Sequence, residues 1–209
     1  MKLSPAAFNR MLGQIGETFS WRRAFACPCV SRNSGQPNSA CVHCAGKGRL
    51  WGGAVAGEAG TVSRSKMRDL APFGMFDQDD IMLSIPSNSP LYEMGQYDRI
   101  AALNKSEPFS QNVVRGLNDV LRFDVLSVDR VFYYNAQDVQ TEIALPTVNA
   151  DGTIVWEVES PPAGVTYSIT GRRIPEYYCY MEIPTDRPMQ FGDRLPRRVT
   201  LRRFDLYGR

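Results

Sequence analysis

Histidine is almost absent from this chain of 209 residues, which contains only His43. Histidine-based general acid–base catalysis and Ser-His-Asp triads need an imidazole at the reacting site. His43 lies between two cysteines, in the stretch Cys41-Val42-His43-Cys44, so its position associates it with their sulfurs. The sequence offers no other candidate catalytic site, and we predict that the chain is not an enzyme.

Long apolar runs are also missing. A membrane-spanning helix needs roughly 18 to 20 consecutive apolar residues, and no segment approaches that length. The first residues lack the basic-then-apolar order of a secretory signal. We therefore expect a soluble, unexported protein without a membrane partner. Its hydrophobic content of 43% is enough for one good core or two modest ones.

Charge is small in total but unevenly distributed. The net charge is +2. Residues 1–68 contain ten Lys and Arg against two Asp and Glu, residues 69–186 seven against eighteen, and residues 187–209 seven against two. Two basic ends thus flank an acidic middle, a pattern that can attract phosphate or guide copies of one protein into contact. Solvated faces of mixed sign are the simpler alternative.

Four of the five cysteines fall within eighteen residues and form two pairs, Cys27 with Cys29 and Cys41 with Cys44. Zinc takes four ligands in a tetrahedron, with each sulfur about 2.3 Å from the ion. The eleven residues between the pairs have the composition of a loop. We predict one structural Zn²⁺ site with these four cysteines as ligands. The alternatives are two disulfides, which a reducing compartment disfavours, four unlinked thiols, or His43 in place of one sulfur.

The residues around the cysteines favour turns. Residues 18–26 are expected to be extended and to lead directly into the first cysteine pair. Pro28 indicates a bend, without which the sulfurs of a C-x-C pair would point to opposite faces of a strand. Gly46 and Gly48 allow the backbone to turn back and donate N–H groups to the sulfurs.

Periodicity predicts one short helix followed by strands. Ser4 is a suitable N-cap, Pro5 a suitable first helical residue, and apolar residues at 8, 11, 12 and 15 follow helical spacing as far as Gly16. Seven candidate strands with a period of two cover residues 81–85, 121–128, 129–134, 153–158, 165–170, 177–183 and 199–204. The predicted fold class is mainly β: an antiparallel sandwich or small barrel with an N-terminal helix and a small zinc-knot module.

A glycine-rich segment, GGAVAGEAG at 52–60, predicts a flexible linker or exposed loop. We therefore divide the chain into the helix and four-cysteine zinc module at 1–55, a linker or loop at 56–75, and a β domain at 76–209 with a basic C-terminal segment. The apolar stripe of the helix is expected to pack on its own domain, with docking on a neighbouring subunit as the alternative.

Residues 41–48, CVHCAGKG, resemble the C-x-x-C-x-G-x-G half-site of the zinc domain of DnaJ-type chaperones. Those chaperones repeat the unit four times, whereas it occurs once here, so the resemblance implies only the metal-binding geometry. A closed four-sulfur site has no open position for water, and its expected role is to hold a small loop module together.

The C-terminal half, residues 110–209, resembles virion proteins from the head-to-tail neck of tailed bacteriophages. The likeness lies in the segments DGTIVW at 151–156, PAGVTYSI at 162–169, the tyrosine-rich stretch that follows, and LPRRVTLRRFDL at 195–206. It implies a connector, collar or head-completion protein that forms a homo-oligomeric ring beside portal, tail or other neck proteins. Its location would be the virion, assembled in the host cytoplasm.

In such a ring each subunit presents two different surfaces to its neighbours, and opposite charges on them would guide the register. We expect arginines of the C-terminal segment to make subunit contacts, with non-specific contact to DNA in the lumen as the alternative. These arginines are Arg194, Arg197, Arg198, Arg202 and Arg203.

A zinc-ribbon-type nucleic-acid-binding protein is the competing class. In that case Trp51 would stack on a base and nearby cations would contact phosphate, namely Arg22, Arg23, Arg32, Lys47 and Arg49. The acidic middle of the chain and the lack of an evident recognition helix weigh against it. A chaperone-like or redox role of the cysteines is a third class, resting on a single C-x-x-C outside a thioredoxin-type setting.

Overall fold

The structure is a computed structural model that describes residues 4–62, 79–117, 119–183, 189–190 and 192–207. Helix α1 covers Pro5–Ile15, and short 3₁₀ helices cover Pro90–Glu93 and Phe204–Leu206. The strands are β1 (Glu17–Ala26), β2 (Arg49–Thr61), β3 (Ile81–Ile85), β4 (Arg99–Ala102), β5 (Glu107–Val114), β6 (Val125–Tyr134), β7 (Gln140–Glu142), β8 (Thr147–Val148), β9 (Ile154–Val155), β10 (Thr166–Arg173), β11 (Glu176–Ile183), β12 (Met189–Gln190), β13 (Asp193–Arg194) and β14 (Arg197–Arg203). The predicted fold class, mainly β and antiparallel with an N-terminal helix, is confirmed.

The first of two compact units, Met1–Asn104 with Glu176–Arg209, is built on a closed six-stranded barrel. The strand order is β1-β2-β3-β14-β11-β4, and β4 pairs with β1 to close the barrel. Every pairing among these described strands is antiparallel. Because closure pairs each strand on both sides, the sheet is protected from edge-to-edge association along its paired stretches.

The barrel interior is filled by side chains. Phe19 and Trp21 lie two residues apart in β1, and Leu83 and Ile85 lie two residues apart in β3, which is the spacing that directs side chains to one face of a strand. The buried cluster comprises Phe19, Trp21, Ala59, Leu83, Ile85, Leu91, Met94, Ile100, Ala102, Tyr177, Cys179, Val199 and Leu201. This is the packed core expected of a small barrel.

A buried carboxylate joins β1 to the turn before β4. Asp98 is 2% exposed and accepts hydrogen bonds from Trp21 Nε1 at 2.7 Å, from the backbone N–H of Ala24 at 2.7 Å and from that of Gly95 at 2.8 Å. The register of β1 against β2 shifts between Arg22 and Ala24, so the carboxylate meets β1 where its ladder is interrupted.

The second compact unit, Lys105–Pro175, contains a four-stranded sheet in the order β5-β10-β6-β7. Tyr167 and Ile169 of β10 are buried, which confirms the alternation predicted for that strand. A Cβ on Gly171 would collide with the Ser127 carbonyl oxygen at a register shift between β10 and β6, so the close approach of two backbones requires glycine there. The core of this unit comprises Phe109, Val113, Leu121, Val131, Ile154, Tyr167 and Ile169.

Helix α1 begins and ends where the sequence predicts. Ser4 is its N-cap, with Oγ accepting a hydrogen bond from the first turn at 3.4 Å, and Gly16 follows its last residue. Leu12 is the only buried side chain of the helix. The other apolar residues of the stripe are more exposed: Phe8 at 37%, Met11 at 44% and Ile15 at 67%.

The prediction of a linker or exposed loop at residues 52–60 is wrong, because these residues lie within β2 and pair with β1. Their glycines permit close packing. A Cβ on Gly57 would lie 2.7 Å from Leu91 Cγ, and one on Gly60 would lie 2.6 Å from Leu12 Cδ2. Small residues therefore let a barrel strand approach the helix and the 3₁₀ segment closely.

The structure also divides the chain differently from the predicted boundaries at 55, 56–75 and 76. Residues 56–61 belong to β2, and β11 and β14 pair back into the barrel with β4 and β3, so the C-terminal strands join the N-terminal ones. Composition does not reveal strand pairs so distant in sequence. Residues 63–78, which include most of the predicted linker, lie outside the described residues.

Candidate metal centre

The four clustered cysteines lie in the loop that joins β1 to β2. Cys27 directly follows β1 and Gly48 directly precedes β2. The Cys27 N–H donates to the Gly48 carbonyl oxygen at 2.9 Å, which extends the ladder of the two strands to the start of the loop. The hairpin thus holds both ends of residues 27–48, the cysteine loop, next to each other.

Each cysteine pair lies in a turn. The Val30 N–H donates to the Cys27 carbonyl at 3.0 Å, with Pro28 at the second position of the turn, so the predicted bend is confirmed. After the second pair, the Lys47 N–H donates to the Cys44 carbonyl at 3.0 Å. Gly46 in that turn has φ +77°, and a Cβ there would lie 3.1 Å from the Ser39 carbonyl oxygen, so glycine fits both the dihedral and the space.

The four sulfurs converge on one point. All four Sγ atoms lie within 4.8 Å of one another. Cys27 Sγ is 3.9 Å from Cys41 Sγ, and Cys29 Sγ is 3.5 Å from Cys44 Sγ. A disulfide requires about 2.05 Å, and all four cysteines are free thiols in the structure. The geometry therefore favours the predicted single metal site over two disulfides. These four cysteines can hold one metal ion.

Backbone N–H groups face the sulfurs. The Gly48 N–H donates to Cys44 Sγ at 3.3 Å, as predicted from the glycine spacing. Hydrogen bonds from the backbone of Cys44 and His43 lower the pKa of Cys41 to about 6, whereas burial and the neighbouring sulfurs raise the pKa of Cys29 to about 12. Four sulfurs this close cannot all be anionic without a cation among them, because like charges raise one another's pKa.

Two other candidate ligands fall outside the cluster. Among the described residues, the group of mutually close ligand atoms contains the four cysteine sulfurs and not the imidazole, so His43 does not replace one of them. Cys179, the fifth cysteine, is 2% exposed in the barrel core, and burial raises the pKa of its thiol to about 12. It is a small buried side chain of β11.

An aromatic cluster that the sequence analysis missed lies beside the cysteine loop. The Trp51 ring centre is 5.1 Å from that of Phe204 and 5.8 Å from that of Tyr207, and Trp51 Nε1 donates to the Tyr97 carbonyl at 3.1 Å. Lys47 Nζ from the loop lies 4.5 Å from the centre of the Phe204 ring. These residues are up to 160 positions apart, so no local pattern could have united them.

The arginines predicted to form subunit contacts differ in their surroundings. Arg202 donates to both oxygens of the buried Asp80, at 3.2 and 3.0 Å, and Arg197 donates to Glu182 at 2.8 Å. Arg203 lies 3.8 Å from Asp205. Arg194 forms a long 3.4 Å pair with Glu93 in which both side chains are largely exposed, and Arg198 is exposed. Three of the five thus have partly buried side chains with ion-pair partners in their own chain.

Comparison of the chain with models of known protein families gives no match, and comparison with curated protein sequences gives none. Among the described residues, no helix has both the length and the apolar character needed to cross a membrane.

Proposed function

We propose that this chain is a structural virion protein of a tailed bacteriophage that forms a ring of identical copies in the head-to-tail neck, as a connector, collar or head-completion protein. The likeness of residues 110–209 to neck proteins, described above, suggests the role. Portal, tail or other neck proteins would be its neighbours, and the assembled virion its location.

The observation that carries the proposal is the opposite net charge of the two compact units. Met1–Asn104 with Glu176–Arg209 contains eighteen Lys and Arg against thirteen Asp and Glu, whereas Lys105–Pro175 contains six against nine. Unlike surfaces of opposite sign support head-to-tail contact between copies, which is the kind of contact that builds a ring.

The metal in the cysteine cluster is proposed to be zinc, with a structural role. A tetrahedron with Zn–S bonds of about 2.3 Å has sulfurs about 3.8 Å apart, close to the 3.5 and 3.9 Å seen for the two short pairs. Four thiolates fill the coordination shell and leave no position for a water or substrate. The ion would fix a loop of 22 residues at the tip of the β1–β2 hairpin.

The surroundings of the five C-terminal arginines reduce the number that are good candidates for subunit contacts. Arg197, Arg202 and Arg203 have acidic partners within the chain, so their removal would also disturb the fold. Arg194 and Arg198 are exposed and are the better candidates for contacts with a neighbouring copy or with DNA in the lumen.

Nucleic-acid binding is kept as a second candidate because the cysteine loop, residues 27–48, contains Arg32 and Lys47 but no Asp or Glu. One part of that hypothesis loses support: Trp51 packs against Phe204 and Tyr207 and is therefore not free to stack on a base. The basic side chains alone would give binding that weakens steeply with salt and has little sequence preference.

Electron microscopy of the assembled particle tests the proposal directly. A ring of this chain between head and tail is the expected result, and its absence from purified virions would contradict the proposal. The purified protein is also expected to bind a double-stranded oligonucleotide only weakly at about 150 mM salt. A monomer that binds DNA tightly would instead favour the second candidate.

A further inference from the structure

The short sulfur contacts of the cysteine loop join its first cysteine pair to its second. Cys29 Sγ lies 3.5 Å from Cys44 Sγ, and Cys27 Sγ lies 3.9 Å from Cys41 Sγ. Both contacts therefore run across the loop, and neither joins the two cysteines of one pair. The arrangement defines which sulfurs would become bonded if the cluster were oxidised.

Oxidants have access to the cluster at Cys29. Its side chain is partly exposed, whereas Cys27 and Cys44 are only 3% and 4% exposed. A metal ion holds its cysteine ligands as thiolates, and the thiolate is the form of sulfur that peroxides oxidise. The site proposed above would thus present a reactive sulfur at the surface, with a second sulfur buried 3.5 Å behind it.

The movement that would form a bridge is small. The sulfurs of a disulfide are about 2.05 Å apart, so those of Cys29 and Cys44 must approach by about 1.5 Å. The ends of the loop are held by the hydrogen bond from the Cys27 N–H to the Gly48 carbonyl oxygen. Because that bond involves no sulfur, the ends of the loop can stay together while the side chains move.

We propose that peroxides convert the four-cysteine cluster from a metal site into two disulfides that cross the loop. The first disulfide joins Cys29 to Cys44, and the second joins Cys27 to Cys41. After the first has formed, two thiolates remain, too few to complete a four-coordinate site, and the ion is released. The inference rests on the metal site of the proposed function and adds a chemical change to it.

Each disulfide forms in two steps that consume one hydrogen peroxide. The Cys29 thiolate attacks a peroxide oxygen, the O–O bond breaks, and hydroxide leaves, which produces a sulfenic acid on Cys29. The Cys44 thiolate then attacks that sulfur, the S–O bond breaks, and a second hydroxide leaves. Two thiolates thereby lose two electrons to form the S–S bond, and the peroxide is reduced to two hydroxide ions.

Disulfides across the loop would hold its two cysteine pairs together without an ion, whereas disulfides within each pair would leave them unconnected. This difference matters for a virion protein, because the particle is assembled in a reducing cytoplasm and then enters an oxidising medium. The exchange would keep the loop fixed on both sides of that change. This use of the chemistry rests on the proposed virion role.

Peptide mapping tests the pairing. The zinc-loaded full chain receives one equivalent of hydrogen peroxide, iodoacetamide blocks the remaining thiols, and trypsin releases peptides 24–32 and 33–47, each with one cysteine pair. Mass spectrometry should find these two peptides joined, with the alkyl groups on Cys27 and Cys41. A chromogenic chelator should detect release of about one zinc ion per chain. Unlinked peptides with internal disulfides, or joined peptides with the alkyl groups elsewhere, would overturn the proposal.

Cys179→Ala is the matched control, because Cys179 is 2% exposed in the barrel core and lies outside the cluster. The variant should give the same joined peptides and the same zinc release as wild type. Loss of the joined peptides in this variant would show that Cys179 takes part in the oxidation, and would overturn the assignment of the sulfurs.

Hydrogen–deuterium exchange tests whether the disulfides replace the ion. Residues 27–48 should exchange at similar rates in the oxidised and zinc-loaded proteins, and at least about tenfold faster in the reduced, zinc-free protein. Dithiothreitol with zinc should return the oxidised protein to the zinc-loaded state. Exchange in the oxidised protein as fast as in the reduced, zinc-free protein would overturn the proposal.

The outcomes separate this inference from the proposed function. A chain that binds no metal would overturn the inference together with the proposed zinc site. A zinc-containing neck ring whose joined peptides never form on oxidation would overturn the inference alone. Joined peptides and zinc release in a chain that is absent from virions would support the chemistry and overturn the proposed virion role.

Discussion

The backbone N–H of Cys27 and the carbonyl oxygen of Gly48 are 2.9 Å apart and form the last hydrogen bond of the β1–β2 hairpin before the cysteine loop. The hairpin therefore supplies most of the closure of the loop, and a bound ion has only to fix the path between its ends. Because the barrel core is formed by other residues, loss of the ion should affect the loop much more than the barrel.

Replacement of a cysteine should remove the metal and loosen the loop alone. Cys44→Ser deletes a buried sulfur that also accepts the Gly48 N–H. We expect the metal content to fall from about one ion per chain to near zero. Elemental analysis measures this, and hydrogen–deuterium exchange should show faster exchange in residues 27–48 with little change in β3 and β11.

Two variants serve as controls for the cysteine prediction. His43→Ala should keep the metal, since the imidazole is not part of the cluster. Cys179→Ala should also keep it, although deletion of a buried sulfur from the barrel core should lower the unfolding free energy by about 1 to 2 kcal/mol. Retention of a full metal load by Cys44→Ser would contradict the proposed site.

Gly57→Ala should destabilise the barrel. The new methyl group would lie 2.7 Å from Leu91 Cγ, closer than real contacts allow, so the side chain or strand must move. Overpacking of this kind costs about 1 to 3 kcal/mol of unfolding free energy, measured by urea denaturation. Gly53→Ala in the same strand is the matched control, because a methyl group there would have no described atom of the surrounding structure within 4 Å. Equal stability of the two variants would argue against close packing as the reason for Gly57.

Asp98→Asn should lower stability although the two side chains have nearly the same shape. The carboxylate accepts from three N–H donors, and an amide nitrogen in place of one oxygen would face at least one of them. We expect a loss of about 2 to 3 kcal/mol in unfolding free energy. Asp193→Asn, at an exposed position, should change it by less than about 0.5 kcal/mol. An unchanged unfolding free energy in Asp98→Asn would show that these hydrogen bonds contribute little to stability.

The stability of the second unit should depend on the ionisation of Asp119. Burial raises the pKa of Asp119, but donors from Gly116, Arg115 and Tyr167 outweigh it and hold the pKa below its usual value. A carboxyl whose pKa is lower in the folded than in the unfolded state stabilises the protein above the unfolded pKa. This stabilisation disappears as the pH falls through the folded pKa.

Asp119→Asn should therefore destabilise the protein by about 1 to 3 kcal/mol at pH 7, and the difference from wild type should shrink as the pH falls below about 4. Urea denaturation between about pH 7 and pH 3 measures it. Tyr167→Phe removes one donor and leaves Arg115, so its pH-dependent difference should be smaller. If the unfolding free energies of Asp119→Asn and wild type differ by the same amount at every pH, the charge of Asp119 does not stabilise the folded protein.

Local features were predictable from the sequence. The four cysteines that can hold a metal ion fall within eighteen residues, so their spacing and the turn residues around them predicted the cluster without knowledge of distant contacts. The N-cap at Ser4 and the alternation in β10 depend on neighbours a few positions away, and both are found as predicted. The close approach of the four sulfurs is the consequence of two local turns and one hairpin.

The features that depend on distant strands were decided only by the tertiary structure. Residues 52–60 form part of β2, where their small side chains leave room for Leu12 and Leu91 to pack against the strand. A strand rich in glycine for close packing has the same amino-acid composition as a flexible linker, so composition alone does not distinguish the two. Closure of the barrel joins β4 and β3 to the C-terminal strands β11 and β14. The same closure places Arg202 on Asp80 and brings Tyr207 into contact with Tyr97 and Tyr178. Pairing across such separations is set by the fit of whole strands in three dimensions, which residue periodicity does not specify.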